Sequence, residues 1–126
     1  DLVKFKKMGV RTAVATDTGG GTSHSMLQTL ADAYKIQQLL GYSLNPLESF
    51  YWATLGNACA LSLDNEIGSL ATGNFADFIV LNSCATDLSK IRMEACESLI
   101  EELFIIQTLG DDRHIESVYV AGKKQK

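Results

Sequence analysis

The sequence predicts an α/β fold, with one strand-and-helix unit at the edge of a larger parallel structure and then a small, mostly antiparallel β-unit with one helix. Three observations predict it. A β-branched run at residues 10–16 leads into a Gly-rich turn at 17–21, and an amphipathic helix follows. Helix, strand, turn and helix in this order are typical of parallel α/β units. From residue 67 onward the sequence pattern changes to short strand-like segments joined by a turn.

Composition limits the possible classes of protein. The chain has 126 residues, of which 46% are hydrophobic and 21% charged, with a net charge of −4. This hydrophobic content excludes intrinsic disorder, and the negative charge would repel a polyanion, so no nucleic-acid partner is expected. No apolar stretch approaches the roughly 20 residues that span a bilayer, and residues 1–8 lack the apolar h-region of a secretory signal. We therefore expect no membrane association and a cytoplasmic location.

The first elements lead up to the Gly-rich turn. Residues 2–8 resemble the last turns of a helix, with Gly9 directly after its end. We find no N-cap for this helix and no initiator Met, so we expect the chain to be the C-terminal part of a longer protein. Residues 10–16 are predicted to form a buried strand.

Two helices are predicted next. Thr22, Ser23 or Ser25 can cap the first, which ends at Gly41. Its predicted inward positions are Met26, Leu30, Ala33, Ile36 and Leu40. The second runs from Asn45-Pro46 to about Leu61, with Glu48 expected to reach back to the capping residue.

The second half of the chain is predicted to be a β-unit with one helix. Residues 67–70 and 76–81 are expected to be two strands joined by a turn. Ser98 and Glu101 form the pattern of a capping box that opens a helix to Leu109, and residues 115–120 form the last strand. We therefore divide the chain into residues 1–62, the last βα unit, and residues 63–126, a small β-domain.

The cysteines indicate neither a disulfide framework nor a zinc ribbon. Cys59, Cys84 and Cys96 lie 25 and 12 positions apart, without close pairing. Unpaired cysteine is among the most buried residue types, so we expect buried free thiols.

Asp17 is the leading candidate for chemistry. It follows the predicted strand 10–16, and α/β barrels assemble their active sites at this end of their strands. A carboxylate there can bind a metal or accept a proton, or it can simply stabilise the turn through an Asx-type hydrogen bond. A phosphate cradle is disfavoured because the motif lacks the P-loop lysine and Asp17 would repel phosphate.

His24 and His114 are the only histidines, and no H-x-H or H-E-x-x-H pair is present. This chain alone therefore cannot complete a zinc site. His24 follows the Gly-rich turn and can line a pocket beside Asp17. His114 lies in a polar loop and is expected not to be a ligand.

Several segments together resemble the guanine deaminases of the amidohydrolase superfamily, over nearly the whole chain. The most specific are residues 16–23, Thr-Asp-Thr-Gly-Gly-Gly-Thr-Ser, and residues 108–113, Thr-Leu-Gly-Asp-Asp-Arg. Further agreement comes from Ala53-Thr54-Leu55-Gly56, Ile67-Gly68-Ser69-Leu70, Ala76-Asp77-Phe78 and Glu101-Glu102-Leu103-Phe104.

The resemblance implies the C-terminal portion of a (β/α)8 barrel, its last strand and helices, with part of the small flanking β-sandwich domain. It implies hydrolysis of guanine to xanthine and ammonia at one zinc ion (Zn2+), with Asp17 as both metal ligand and catalytic proton acceptor. The family's zinc histidines and its proton-shuttling glutamate would precede this segment, so the isolated chain is expected to be inactive. His24 stands where these enzymes often carry an aromatic ring, and we assign it to substrate binding. A purine substrate and a homo-oligomer are the expected partners.

Two alternatives stay open. The chain can belong to another amidohydrolase deaminase or chlorohydrolase that acts on a different heterocyclic ring. It can instead be a non-catalytic oligomerisation or interaction module, in which the apolar stripe of residues 98–109 docks a partner.

Overall fold

The computed structural model describes all residues, 1–126, and shows an α/β chain with six α-helices and one small sheet. The helices are α1 (Leu2–Lys7), α2 (Met26–Leu39), α3 (Pro46–Ala53), α4 (Leu55–Leu61), α5 (Asp87–Met93) and α6 (Leu99–Leu109). The strands β1 (Phe78–Leu81), β2 (Ile115–Val120) and β3 (Lys123–Lys124) form an antiparallel sheet in the order β1-β2-β3. None of the helices has both the length and the apolar character needed to cross a bilayer.

The hydrophobic core lies where α6 packs against α2 and α3. Its most buried side chains include Leu30 and Ile106, and Trp52 closes the α3 side. The rings of Tyr34 and Phe104 meet edge to face with centroids 5.3 Å apart, which joins α2 to α6. Helix α6 therefore connects the small sheet to the helices of the first half of the chain.

The predicted helix starts at Ser25, Asn45 and Ser98 are confirmed. Each of these side chains accepts a hydrogen bond from a backbone N–H in the first turn of α2, α3 or α6. Helix α1 also has a cap that the sequence analysis missed, because the Asp1 carboxylate accepts the N–H of Lys4 at 2.9 Å.

The single helix predicted from residue 46 to residue 61 is instead two helices that meet at Thr54. Thr54 has φ −126° and ψ −104°, and its hydroxyl donates to the Phe50 carbonyl at 2.7 Å. This side-chain hydrogen bond competes with the backbone hydrogen bonds of the helix, and it occurs where α3 ends and α4 begins.

Glu48 does not cap α3 as predicted. Its carboxylate accepts the Tyr42 hydroxyl at 2.5 Å and the Lys6 ammonium at 3.1 Å. The hydrogen bond from Tyr42 to Glu48 raises the pKa of the tyrosine. Glu48 thus ties α1 and the α2–α3 connection to α3.

The predicted inward face of α2 is partly wrong. Leu30 is buried and Met26 and Ala33 are half-buried, but Ile36 and Leu40 are each 53% exposed. The buried positions of the helix are Leu27, Leu30, Ala31 and Gln37. The reason is that α6 and α3 cover a face rotated away from the most apolar stripe of α2.

The strand predicted at residues 10–16 is not formed within these 126 residues, because none of their strands pairs with it. The segment is nevertheless extended in character. Thr12, Val14 and Thr16 are half-buried, while the residues between them are exposed. The β-branched residues thus give the extended backbone that the sequence predicts, but the chain supplies no hydrogen-bonded neighbouring strand.

The second half differs from the prediction at three places. Residues 67–70 form no strand, and the strand predicted at 76–81 is confined to Phe78–Leu81. Helix α5 was not predicted, although Thr86 and Ser89 form a reciprocal capping box at its start. Lys123 and Lys124, for which no element was predicted, form the short edge strand β3.

The cysteines are free, as predicted, but they are not buried. Cys84 is exposed, and Cys59 and Cys96 are half-buried.

The corner between α6 and β2 is built on Asp111. Its carboxylate takes two hydrogen bonds from the Nε of Arg113, at 3.0 and 3.1 Å, and one from Nη2 at 2.5 Å. The guanidinium of Arg113 holds the pKa of Asp111 well below its usual range. A side chain at Gly110 would collide with the Ile106 carbonyl. The Thr-Leu-Gly-Asp-Asp-Arg segment is therefore a structural corner in this chain.

Replacing Asp111 with asparagine is expected to lower the free energy of unfolding by about 1 kcal/mol at neutral pH. Because the pKa of Asp111 is lowered in the folded chain, its contribution is complete above the ordinary carboxyl pKa of about 4 and declines as the pH falls below that value. Between about pH 7 and about pH 3, the free energy of unfolding measured with urea should fall less for the variant than for the wild type. Equal acid sensitivity of Asp111→Asn and wild type, with Asp112→Asn as the control, would contradict this assignment.

Candidate active site

The Gly-rich turn fixes Asp17 at the end of the extended segment. Asp17 has φ +52°, in the left-handed region that aspartate enters more readily than most residues. Its backbone carbonyl accepts the N–H groups of Gly20 at 2.9 Å and Gly21 at 2.5 Å. A Cβ at Gly21 would overlap the Thr16 carbonyl, so this close approach requires glycine.

The Asp17 carboxylate itself is exposed and takes part in no hydrogen bond or ion pair within the chain. The bonds that close the turn come from its main-chain carbonyl, and no side-chain Asx bond is present. Both carboxylate oxygens therefore remain available to a metal, a water molecule or a substrate.

The extended segment leaves a face open beside this turn. Arg11, Ala13 and Ala15 are exposed, while Thr12, Val14 and Thr16 are half-buried. The small side chains of Ala13 and Ala15 leave room near the turn for another group.

His24 lies beyond the turn and is exposed. No hydrogen bond or ion pair joins it to Asp17, and no group of three His, Cys, Asp or Glu side chains comes together as a metal site. A cleft of about 740 Å³ lies elsewhere, between α1, the start of the extended segment and the helices α3 and α4. The structure thus presents Asp17 and His24 as separate accessible groups.

His114, which the sequence analysis placed in a polar loop, ends a short 3₁₀-helix and is only 1% exposed. Its Nδ1 lies 3.2 Å from the Asp111 N–H that donates to it, and its Nε2 has no partner. Asp111 holds the imidazole in the α6–β2 corner. The capping pattern of Asp111 is the only sequence signal that could have revealed this burial.

A comparison with protein families identifies the class to which the chain belongs. The sequence pattern of the Amidohydrolase family matches residues 1–124. The chain belongs to the amidohydrolase family, as the resemblance predicted.

More specific similarity is to guanine deaminases. The chain is 46% identical over 123 residues to the guanine deaminase of Escherichia coli (strain K12), covering 98% of this chain and 28% of that protein. It is 36% identical over 137 residues to the guanine deaminase of Homo sapiens, covering 98% of this chain and 29% of that protein. The chain therefore spans somewhat less than a third of the length of these relatives.

Solved structures give the same result. The structure of E. coli guanine deaminase matches with a TM-score of 0.97 and 45% identity, over 100% of this chain and 30% of that one. Guanine deaminase from C. acetobutylicum, solved with guanine in the active site, matches with a TM-score of 0.74 and 28% identity, over 98% of this chain and 29% of that one. An adenosine deaminase from Xanthomonas campestris with bound zinc matches with a TM-score of 0.71 and 25% identity, over 95% of this chain and 26% of that one. The α/β fold class is thereby confirmed.

Proposed function

We propose that this chain forms part of a guanine deaminase, which hydrolyses guanine to xanthine and ammonia. The observation that carries the proposal is the 0.97 TM-score to E. coli guanine deaminase over the whole chain, together with 45% identity. In this proposal residues 1–62 supply the last βα unit of the barrel and residues 63–126 supply part of the small flanking domain. The enzyme would act on a free purine in the cytoplasm, as a homo-oligomer.

The extended segment supports this placement. It has an exposed face, and its backbone groups from Arg11 to Thr16 are unpaired except at Val14, whose N–H and carbonyl bond the side chain of Asn57. These features suit a barrel strand whose neighbouring strands lie outside the chain, and its Asp17 end suits the face where barrels bind substrate. The amidohydrolase match runs through this segment, as does the similarity to the E. coli protein.

A zinc ion fits Asp17 as one ligand among several. Zinc accepts carboxylate oxygens alongside imidazole nitrogens, and the oxygens of Asp17 are unpaired and exposed. Since no further group of ligands gathers in these residues, the remaining ligands would come from outside them. When bound, the metal would supply Lewis-acid activation of the attacking water.

Asp17 would contribute the proton chemistry. Its carboxylate orients the attacking water and takes its proton as the oxygen adds to the ring carbon that carries the amino group. The proton then returns toward the departing nitrogen, which leaves as ammonia. The turn at Gly19–Gly21 contributes by holding Asp17 in one backbone conformation.

His24 would contribute to substrate binding. An imidazole offers one donor and one acceptor, which matches the mixed hydrogen-bonding edge of a purine. Its exposed position just beyond the turn supports this role.

The test is a chimaera in which these 126 residues replace the corresponding part of E. coli guanine deaminase. We expect the chimaera to release ammonia from guanine, within about tenfold of the parent's kcat/KM because the backbones match closely. The parent enzyme and a version lacking the segment are the controls. Adenine, adenosine and a chlorinated triazine test the other amidohydrolase reactions, and a folded chimaera that prefers one of them would reject guanine as the substrate.

A further inference from the structure

Helix α4 holds the segment that leads to Asp17 at two places. The Val14 N–H donates to Oδ1 of Asn57 at 2.7 Å, and Nδ2 of Asn57 donates to the Val14 carbonyl at 2.8 Å. Nearer the start of the segment, Nη1 of Arg11 donates to the Cys59 carbonyl at 3.0 Å. All three bonds join residues of this chain, so they do not depend on strands that lie outside it.

The two Asn57 bonds fix the position of the segment along α4. A carboxamide offers an acceptor and a donor side by side, and here both meet the backbone of a single residue. In an extended backbone, the N–H and carbonyl of one residue point to the same side, and those of the next residue point to the other side. A shift of the segment by one residue would therefore break both bonds, so Asn57 sets the register of Val14 against α4.

Asp17 lies only three residues beyond Val14 in the sequence. An extended chain advances about 3.3 Å per residue, so a one-residue slip at Val14 would move the Asp17 carboxylate by about that distance. A displacement of about 1 Å can already lower the rate of a catalytic step by about a hundredfold. The position of Val14 is therefore important for any chemistry that Asp17 performs.

We infer that Asn57 is a positioning residue for Asp17, and that through Val14 it sets where the Asp17 carboxylate meets the metal and the attacking water. Asn57 is half-buried on α4 and makes both of its side-chain hydrogen bonds to Val14, and none to Asp17. The inference rests on the proposed function, because it assigns Asn57 a part in the site of Asp17.

The test uses the chimaera with E. coli guanine deaminase and compares Asn57→Ala and Asn57→Asp with Ile106→Val. Ile106 is 3% exposed in the core around α6, so Ile106→Val is the control that lowers stability outside the segment. In Asn57→Asp, the introduced carboxyl offers an acceptor and a donor when it is protonated, but acceptors only when it is ionised. This variant also decides the question if Asn57→Ala does not fold.

Asn57→Ala is expected to lower kcat for guanine at least about tenfold and to leave KM within about threefold, because it misplaces the reacting carboxylate and removes no substrate contact. The bound zinc should be lost to a chelator about tenfold faster than from the parent chimaera. For Asn57→Asp, kcat relative to the parent should rise as the pH falls, since protonation restores both bonds to Val14. Ile106→Val should melt at a lower temperature with the parent's kcat and zinc loss.

Three results would overturn the inference. They are a folded Asn57→Ala chimaera with the parent's kcat and zinc loss, an Asn57→Asp chimaera as impaired as Asn57→Ala at every pH, and losses in Ile106→Val equal to those in Asn57→Ala. The chelator assay needs no substrate, so it separates this inference from the proposed function. A chimaera that deaminates no guanine, but loses zinc faster in Asn57→Ala, would reject guanine as the substrate and support the role of Asn57.

Discussion

Asp17→Ala in the chimaera with E. coli guanine deaminase is expected to lower kcat for guanine by about a thousandfold or more, because it removes both a metal ligand and a proton acceptor. Stability should fall by about 1 kcal/mol, because the exposed Asp17 side chain makes no hydrogen bond in the chain but alanine tolerates the left-handed backbone at φ +52° less well than aspartate does. Steady-state ammonia release and thermal unfolding measure the two quantities in the same samples.

Asp17→Asn is the sharper variant. It keeps the shape and the tolerance for the left-handed backbone at φ +52°, but it loses the charge and the basicity. A comparable loss of kcat would assign the effect to the carboxylate itself. Asp64→Asn is the matched control, because Asp64 is also exposed and makes no hydrogen bond or ion pair. Near wild-type turnover by Asp17→Asn would show that Asp17 serves only the turn.

The parts of the fold that the sequence predicted are those with a local physical cause. Ser25, Asn45 and Ser98 cap helices through bonds to N–H groups two or three residues away, so their effect can be recognised without knowing the rest of the chain. The left-handed turn at Asp17 and Gly19 likewise follows from the residues that form it.

The parts that failed depend on distant partners. Residues 10–16 have strand-forming residues, but strand formation also needs a paired neighbour, and the only partner here is the side chain of Asn57, 43 positions away. The inward face of α2 depends on α6, which packs against it from about 60 residues further along the chain, and on α1, whose Leu2 N–H donates to the buried Gln37 side chain at 3.4 Å. His114 is also buried, and its carbonyl accepts the N–H of Asn82 at 2.8 Å, a distant partner that its polar neighbours in the sequence do not indicate.

In the candidate site, too, the features with a local sequence signal could be predicted and those that depend on distant residues could not. Asp17 could be singled out because a carboxylate after a strand-like run and before glycines has a local signature, and the structure leaves its oxygens free. Its role and that of His24 remain predictions. A zinc site is a constellation of several ligands, and residues that lie outside this chain leave no trace in its sequence.

The isolated chain is accordingly expected to bind zinc weakly, with a dissociation constant above about 10 micromolar, and to have no measurable guanine deaminase activity. A single exposed carboxylate gives one ligand where catalytic zinc sites have three protein ligands, and no group of three candidate ligands is present in the chain. The chimaera should instead retain about one equivalent of zinc after dialysis, and Asp17→Ala should lower that content or speed its loss to a chelator. Calorimetry on the chain and metal analysis of the purified chimaera provide the two measurements. Submicromolar zinc binding by the chain alone, abolished by Asp17→Ala, would mean that these residues gather a complete site of their own, which would contradict the assignment of Asp17 as one ligand of a larger site.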